Sequence, residues 1–178
     1  MEFADRMREL AKQAETRKQH STTEEATKMS LIAPFIAALG FDVFNPLEVC
    51  PEFTADVGVK KGEKVDYAIL RDSKPVILFE CKAVGNDLDK LTPAQLSRYF
   101  HVTEAKFAVF TDGIRYQFFS DLDNLNKMDH RPFLDFEITS LDDATIEELS
   151  KFHHENFDEE RIRSAAVELK YLRGHLGR

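Results

Sequence analysis

Val65-Asp66-Tyr67-Ala68-Ile69-Leu70-Arg71, a polar break at Asp72-Ser73-Lys74, and then Pro75-Val76-Ile77-Leu78-Phe79-Glu80-Cys81-Lys82 form the stretch whose reading decides the fold. Strands are expected at Val65 to Leu70 and Pro75 to Cys81, separated by a turn. The run Val76-Ile77-Leu78-Phe79 is apolar on both faces, as a strand inside a sheet covered by helices on each side should be. If the break joins antiparallel strands with Arg71 opposite Pro75, the same register puts Asp66 opposite Glu80. Such partners hold their Cβ atoms about 4.5 to 5.5 Å apart, and Lys82, two residues further, faces the same way. Two carboxylates and an ammonium then converge at the end of a buried strand.

Adjacent carboxylates raise one another's pKa unless a cation sits between them. Oxygen ligands at this separation suit Mg²⁺, with Mn²⁺ as a substitute, because Mg²⁺ takes one or two carboxylates and keeps several waters. The metal would polarise a phosphoryl oxygen and acidify a bound water, and a lysine would orient that water or stabilise developing charge. The chemistry expected is hydrolysis of a phosphodiester. The competing reading is a partly buried structural ion-pair cluster. A second Glu-x-Lys triplet, Glu104-Ala105-Lys106, precedes its strand and has no neighbouring aspartate, so it reads as surface charge.

Outward from this stretch, Phe3, Met7, Leu10, Ala11 and Ala14 recur at helical spacing and predict an amphipathic helix over 2–19. A second helix follows Glu24-Glu25, with Leu31, Ile32, Phe35, Ile36 and Leu39 on one face and Gly40 as its stop. Residues 41 to 51 read as an extended connector with a short strand, and Val57 to Lys60 as a strand candidate. On the other side, Thr92-Pro93 opens a helix to about His101. Lys106 to Thr111 is a buried strand, Asp112-Gly113 a two-residue hairpin signal, and Ile114 to Phe119 the returning strand. A strand over Phe133 to Ile138 and helices over 143–154 and 158–173 complete the chain. The fold class expected is α/β, a central mixed sheet flanked by helices. The segments are an N-terminal helix (1–20), a site-bearing domain (21–140) and a helical extension (141–178).

The 178 residues carry 24 Lys plus Arg against 32 Asp plus Glu, a net charge of −8. That balance excludes a partner captured by bulk positive field, such as an anionic membrane, and requires any nucleic-acid role to come from a local site. Residues 121–178 hold 14 acidic and 8 basic side chains, so most of the surplus is peripheral to the β-rich middle. Cys50 and Cys81 lack a CxxC pair or a His partner and read as reduced structural thiols. With no leader-like or membrane-spanning N-terminus, a cytoplasmic location is expected. No GxxxxGK[ST], dinucleotide loop, HExxH or GxSxG is present, so the chain carries no motor of its own. His153-His154 point about 100° apart on a helix and make a poor metal pair.

The aspartate that opens one strand, the Glu-x-Lys that closes the next and the upstream helix glutamate resemble the PD-(D/E)xK, or restriction-endonuclease-like, nucleases. More narrowly, Glu24-Glu25-Ala26-Thr27-Lys28, Leu31-Ile32-Ala33-Pro34-Phe35, Leu39-Gly40-Phe41-Asp42, Lys64-Val65-Asp66-Tyr67 and Glu80-Cys81-Lys82 resemble the N-terminal nuclease domain of type I restriction enzyme R subunits. The resemblance spans about residues 21 to 120. It implies a metal-dependent DNA endonuclease with a restriction-endonuclease-like core, in which Asp66, Glu80 and the Cys81 carbonyl bind Mg²⁺ and Lys82 is the catalytic lysine. Glu25 is the candidate helix glutamate, with Glu24 as its rival; Ser21 to Glu24 and Thr22 to Glu25 are both capping-box patterns. The family's Gln-x-x-x-Tyr element is matched by Gln95 and Tyr99, which share a helix face and are expected at the site or the DNA backbone. Gln95 is equally a capping residue, since Thr92-Pro93-Ala94-Gln95 is itself a capping box. The implied partners are DNA and a separate motor or specificity subunit, or a C-terminal continuation of the chain, with no membrane. The rival function is a catalytically inactive nuclease-fold module that binds DNA or protein.

Overall fold

The computed structural model describes residues 1–55 and 63–176; the expected strand at Val57 to Lys60 lies outside the described residues. Six strands, β1 (Val49–Phe53), β2 (Val65–Arg71), β3 (Lys74–Cys81), β4 (Phe107–Thr111), β5 (Arg115–Phe119) and β6 (Leu134–Glu137), form one sheet in chain order. All neighbours are antiparallel except β3 and β4, which run parallel. The parallel pair requires a crossover, and α4 (Ala94–Val102) supplies it across one sheet face. The opposite face is covered by α1 (Phe3–Arg17), by the helical stretch α2 (Glu24–Thr27), π-turn (Lys28–Ile32) and α3 (Ala33–Ala38), and by α5 (Asp143–Ser150) and α6 (Glu159–Leu176). This is the α/β, mixed-sheet architecture expected, consistent with a restriction-endonuclease-like fold.

Alternation along the strands divides the core into two layers. Ile77, Phe79 and Cys81 of β3 enter the layer shared with Met7, Leu10, Ala14, Phe35, Leu149 and Ile162. Leu78 enters the layer under α4 with Leu96, Tyr99 and Phe100. Fifteen Phe and no Trp give the larger layer its character. Phe35 stacks on Tyr116 at 4.2 Å, and Phe118 and Phe107 meet Phe152 edge-on at 5.0 and 5.3 Å. Burying a ring of this size stabilises by roughly 1.5–3 kcal/mol, so N- and C-terminal helices are held by the same core as the sheet.

Several boundaries differ from the sequence reading; the helix expected over 143–154 ends at Ser150, which leaves His153 and His154 in a bend and turn rather than on a helix. The β4–β5 connection is Asp112-Gly113-Ile114 rather than two residues, because the Asp112 carboxylate accepts from the backbone N–H groups of Ile114 and Arg115 and closes a local turn. The helix expected from Glu24 to Leu39 widens into the π-turn at its centre. Pro34 has no N–H to give the Ser30 carbonyl, which instead accepts from the Arg17 guanidinium at 3.1 Å. Gly40, with φ +88°, ends α3 as expected. Both cysteines are free, and no helix among the described residues is long and apolar enough to cross a membrane.

Candidate active site

The β2–β3 hairpin aligns its acidic residues by a route the sequence reading did not foresee. Its turn is Asp72-Ser73, both left-handed (φ 52° and 66°), the backbone a two-residue type I′ turn demands. Arg71 therefore faces Lys74 and Leu70 faces Pro75, one residue out of the expected register. A bulge between Ile69 and Leu70 takes up the difference, and beyond it Ile69 pairs with Ile77, Ala68 with Leu78 and Tyr67 with Phe79. Pro75, which cannot donate to a ladder, sits where the irregularity tolerates it. The restored register carries Asp66 opposite Glu80.

The ladder stops at Tyr67 and Phe79. Past that point the Asp66 side chain takes over from the backbone: its Oδ2 accepts from the Cys81 N–H at 2.7 Å. β3 stays anchored to β4, with Glu80 against Phe110, Cys81 against Thr111, and the Lys82 N–H donating to the Thr111 carbonyl at 2.8 Å. The strands thus part around Asp66, Glu80 and Lys82. The Cys81 thiol is buried in the opposite layer, where burial pushes its pKa well up, so only its main chain is available to the site.

The helical stretch adds a cation that sequence reasoning left without a role. The Lys28 ammonium lies 2.6 Å from Glu25 and 3.4 Å from Asp66 Oδ1, with a side chain only 10% exposed. Its burial opposes the charge, but the carboxylates of Glu25 and Asp66 outweigh that and raise its pKa. Two contacts fix the helix there. Thr27 Oγ1 accepts from the Val84 N–H at 3.2 Å, just past Lys82, and Gly113 packs so tightly that a Cβ on it would lie 2.9 Å from the Thr27 and Leu31 side chains. Thr23 caps the helix by accepting from the Ala26 N–H, so neither expected capping box forms. Both glutamates are therefore free of capping: Glu25 is turned to Lys28, and the charge on Glu24 is the one that reaches Glu80.

Glu80 is 8% exposed, and its Oε2 has no hydrogen-bond partner among the described residues. Burial pushes its pKa up to about 7; Lys82 and Arg98 pull it down, while Asp66 and Glu24 push it further up. A buried carboxylate oxygen with nothing to bind costs free energy. No group of three or more His, Cys, Asp or Glu side chains that could hold a metal occurs among the described residues. Asp66 and Glu80 offer carboxylate oxygens, which fit a hard ion that retains waters and suit no soft one.

Gln95 and Tyr99 share a face of α4, as expected, but both donate to the backbone just ahead of Asp66: Gln95 Nε2 to the Lys64 carbonyl and the Tyr99 hydroxyl to the Glu63 carbonyl. Tyr99 is fully buried. Gln95 does not cap its helix, whose N-cap residue is Pro93. Between them Arg98 makes a two-pronged ion pair with Glu63, with contacts of 2.6 and 3.1 Å. α4 thereby clamps the strand that presents Asp66. The second triplet is not simple surface charge as expected: Glu104 pairs with exposed Lys74 at 3.3 Å, but the Lys106 ammonium lies 3.4 Å from the buried carboxylate of Asp121.

Against this geometry, the family model described as type I restriction enzyme R protein N terminus matches residues 23–132, the segment that holds every residue of the candidate site. No curated protein and no solved structure matches the chain.

Proposed function

Because the chain belongs to the family of type I restriction enzyme R protein N termini, we propose that it is the nuclease module of a DNA restriction system, with Asp66, Glu80 and Lys82 as a Mg²⁺-dependent site that hydrolyses phosphodiester bonds. The observation that carries the reading is the unpartnered Glu80 oxygen, buried opposite Asp66 and beside Lys82. Asp66, Glu80 and the Cys81 carbonyl would hold the metal. Bound there, Mg²⁺ or Mn²⁺ polarises a phosphoryl oxygen and supplies an acidified water.

The chain's own residues do the rest. Glu80, poised to release its proton near neutral pH, becomes a full carboxylate when a cation arrives. The Lys82 ammonium makes no hydrogen bond or ion pair among the described residues and is free to hold the attacking water or the charge that develops on phosphate. Lys28 keeps Asp66 neutralised when no cation is present. Of the helix glutamates, Glu24 lies electrostatically nearer Glu80, and Glu25 reaches the site through Lys28. Gln95 and Tyr99 serve the reaction by holding the backbone before Asp66. The substrate is DNA, brought by a separate motor or specificity subunit.

The test is plasmid cleavage with and without Mg²⁺. The wild type should nick or linearise DNA only with the metal, and Glu80→Ala and Lys82→Ala should each lose about a hundredfold or more of that rate while remaining folded. Undiminished cleavage by both variants would overturn the assignment.

A further inference from the structure

Beside the candidate site lies a cavity of about 660 Å³, walled by the 88–94 segment, β5 and the 127–132 segment. Its position follows from the register. Glu80 pairs with Phe110, Phe110 with Gln117 and Gln117 with Asp135, so one row of side chains crosses β3, β4, β5 and β6 on a single face. Glu80 stands at one end of that row, and Gln117 and Asp135 line the cavity at the other. Two strand spacings separate Glu80 from Gln117, about 10 Å, or roughly three stacked base steps and fewer of an unstacked strand. The N-terminal half of α4 divides the two places: Gln95 and Tyr99 face the Asp66 side, while Ala94 and Ser97 line the cavity.

The chemistry of the lining is mixed in a telling way. Leu88, Phe119 and Met128 give apolar walls. Gln117 is 7% exposed; its amide N–H reaches toward Asp135 at 3.4 Å, and its carbonyl oxygen accepts no hydrogen bond among the described residues. The Ser97 hydroxyl makes none either. Arg115 is spent on Asp135 and Asp89, and Asp129, also in the lining, accepts from the Leu122 and Asp123 N–H groups and lies 3.7 Å from Lys170, so the free charge comes from the rim, where exposed Lys127 and Arg131 have no ion-pair partner among the described residues. Apolar walls, an amide at the base and a cationic rim beside the positive end of α4 fit a flat heteroaromatic group joined to phosphates.

We propose that this cavity is a nucleobase pocket, which takes one unstacked base of the DNA strand whose phosphodiester lies at Asp66 and Glu80. The inference rests on the nuclease reading and deepens it: the strand presented to the site is single-stranded or locally opened, with the base held by the Gln117 amide and the Ser97 hydroxyl and the neighbouring phosphates by Lys127 and Arg131.

The experiment is fluorescence anisotropy in EDTA, where no cleavage occurs, with a single-stranded DNA of about sixteen nucleotides and an abasic strand of equal length. The wild type should bind the base-bearing strand at least about tenfold more tightly. Ser97→Phe, a change on the half-exposed surface of α4 that fills the cavity, should abolish that preference and keep the affinity for the abasic strand. Gln117→Leu should reduce the preference, and Lys127→Ala with Arg131→Ala should weaken both strands alike; thermal unfolding verifies that each variant is folded. Equal binding of the two strands by the wild type, or a preference that survives in folded Ser97→Phe and Gln117→Leu, would overturn the pocket. A wild type that cleaves plasmid yet binds both strands equally removes the pocket alone; base preference without Mg²⁺-dependent cleavage removes the nuclease reading alone.

Discussion

Glu80 and Lys28 are the two residues whose energetics the site depends on, and they act in opposite senses. In the folded, metal-free protein Glu80 holds its proton up to about pH 7, against 4.5 for an ordinary glutamate. Between those values the folded state binds more protons than the unfolded one, so stability falls as pH rises, by about 3 kcal/mol once Glu80 is fully ionised. Denaturant unfolding in EDTA should show that decline between pH 4.5 and above pH 7, and Glu80→Gln should flatten it and be the more stable protein at neutral pH. Lys28 contributes in the other direction by neutralising Asp66 and Glu25. Lys28→Met should destabilise the metal-free protein by roughly 1 to 3 kcal/mol. Mg²⁺, which supplies the missing charge, should recover more stability in Lys28→Met than in the wild type when each is unfolded with and without the ion.

At the level of elements, the site depends on how the helical stretch around Lys28 docks on the β4–β5 hairpin. Gly113 has φ +88°, and a Cβ there would press on Thr27 and Leu31 at 2.9 Å. Gly113→Ala should therefore cost about 1–3 kcal/mol, measured by thermal or denaturant unfolding, and should shift Lys28 away from Asp66. The sequence showed the central strands because Val76 to Phe79 and Lys106 to Thr111 are apolar runs that only a covered sheet can bury. The alignment of Asp66 with Glu80 was legible too, although by a register that the Asp72-Ser73 turn breaks and the bulge near Pro75 restores. Lys28 was not legible: helical periodicity assumes a regular α-helix, and the π-turn ahead of Pro34 changes which side chains face the sheet. The partners of Gln95 and Tyr99 were hidden for another reason, since backbone carbonyls brought close by tertiary packing leave no mark on residue type.

For the whole molecule, the charge of −8 separates into regions with different consequences. Much of the acidic surplus of 121–178 lies on or beside the outer helices, while Asp121 and Asp129 are buried and Asp129 and Asp135 line the cavity; Lys127 and Arg131 stand exposed at its rim on the sheet face that carries Glu80. The two helical ends share the core of the sheet, so the scaffold that parts β2 from β3 at Asp66 is held from both termini. We propose that this scaffold builds, at its centre, one divalent-cation site from Asp66 and Glu80. Isothermal titration of Mn²⁺ into the metal-free protein measures that site directly. A single saturable binding event in the wild type, lost in both Asp66→Ala and Glu80→Ala, is the result expected; no binding to the wild type, or binding that persists in both variants, would contradict it.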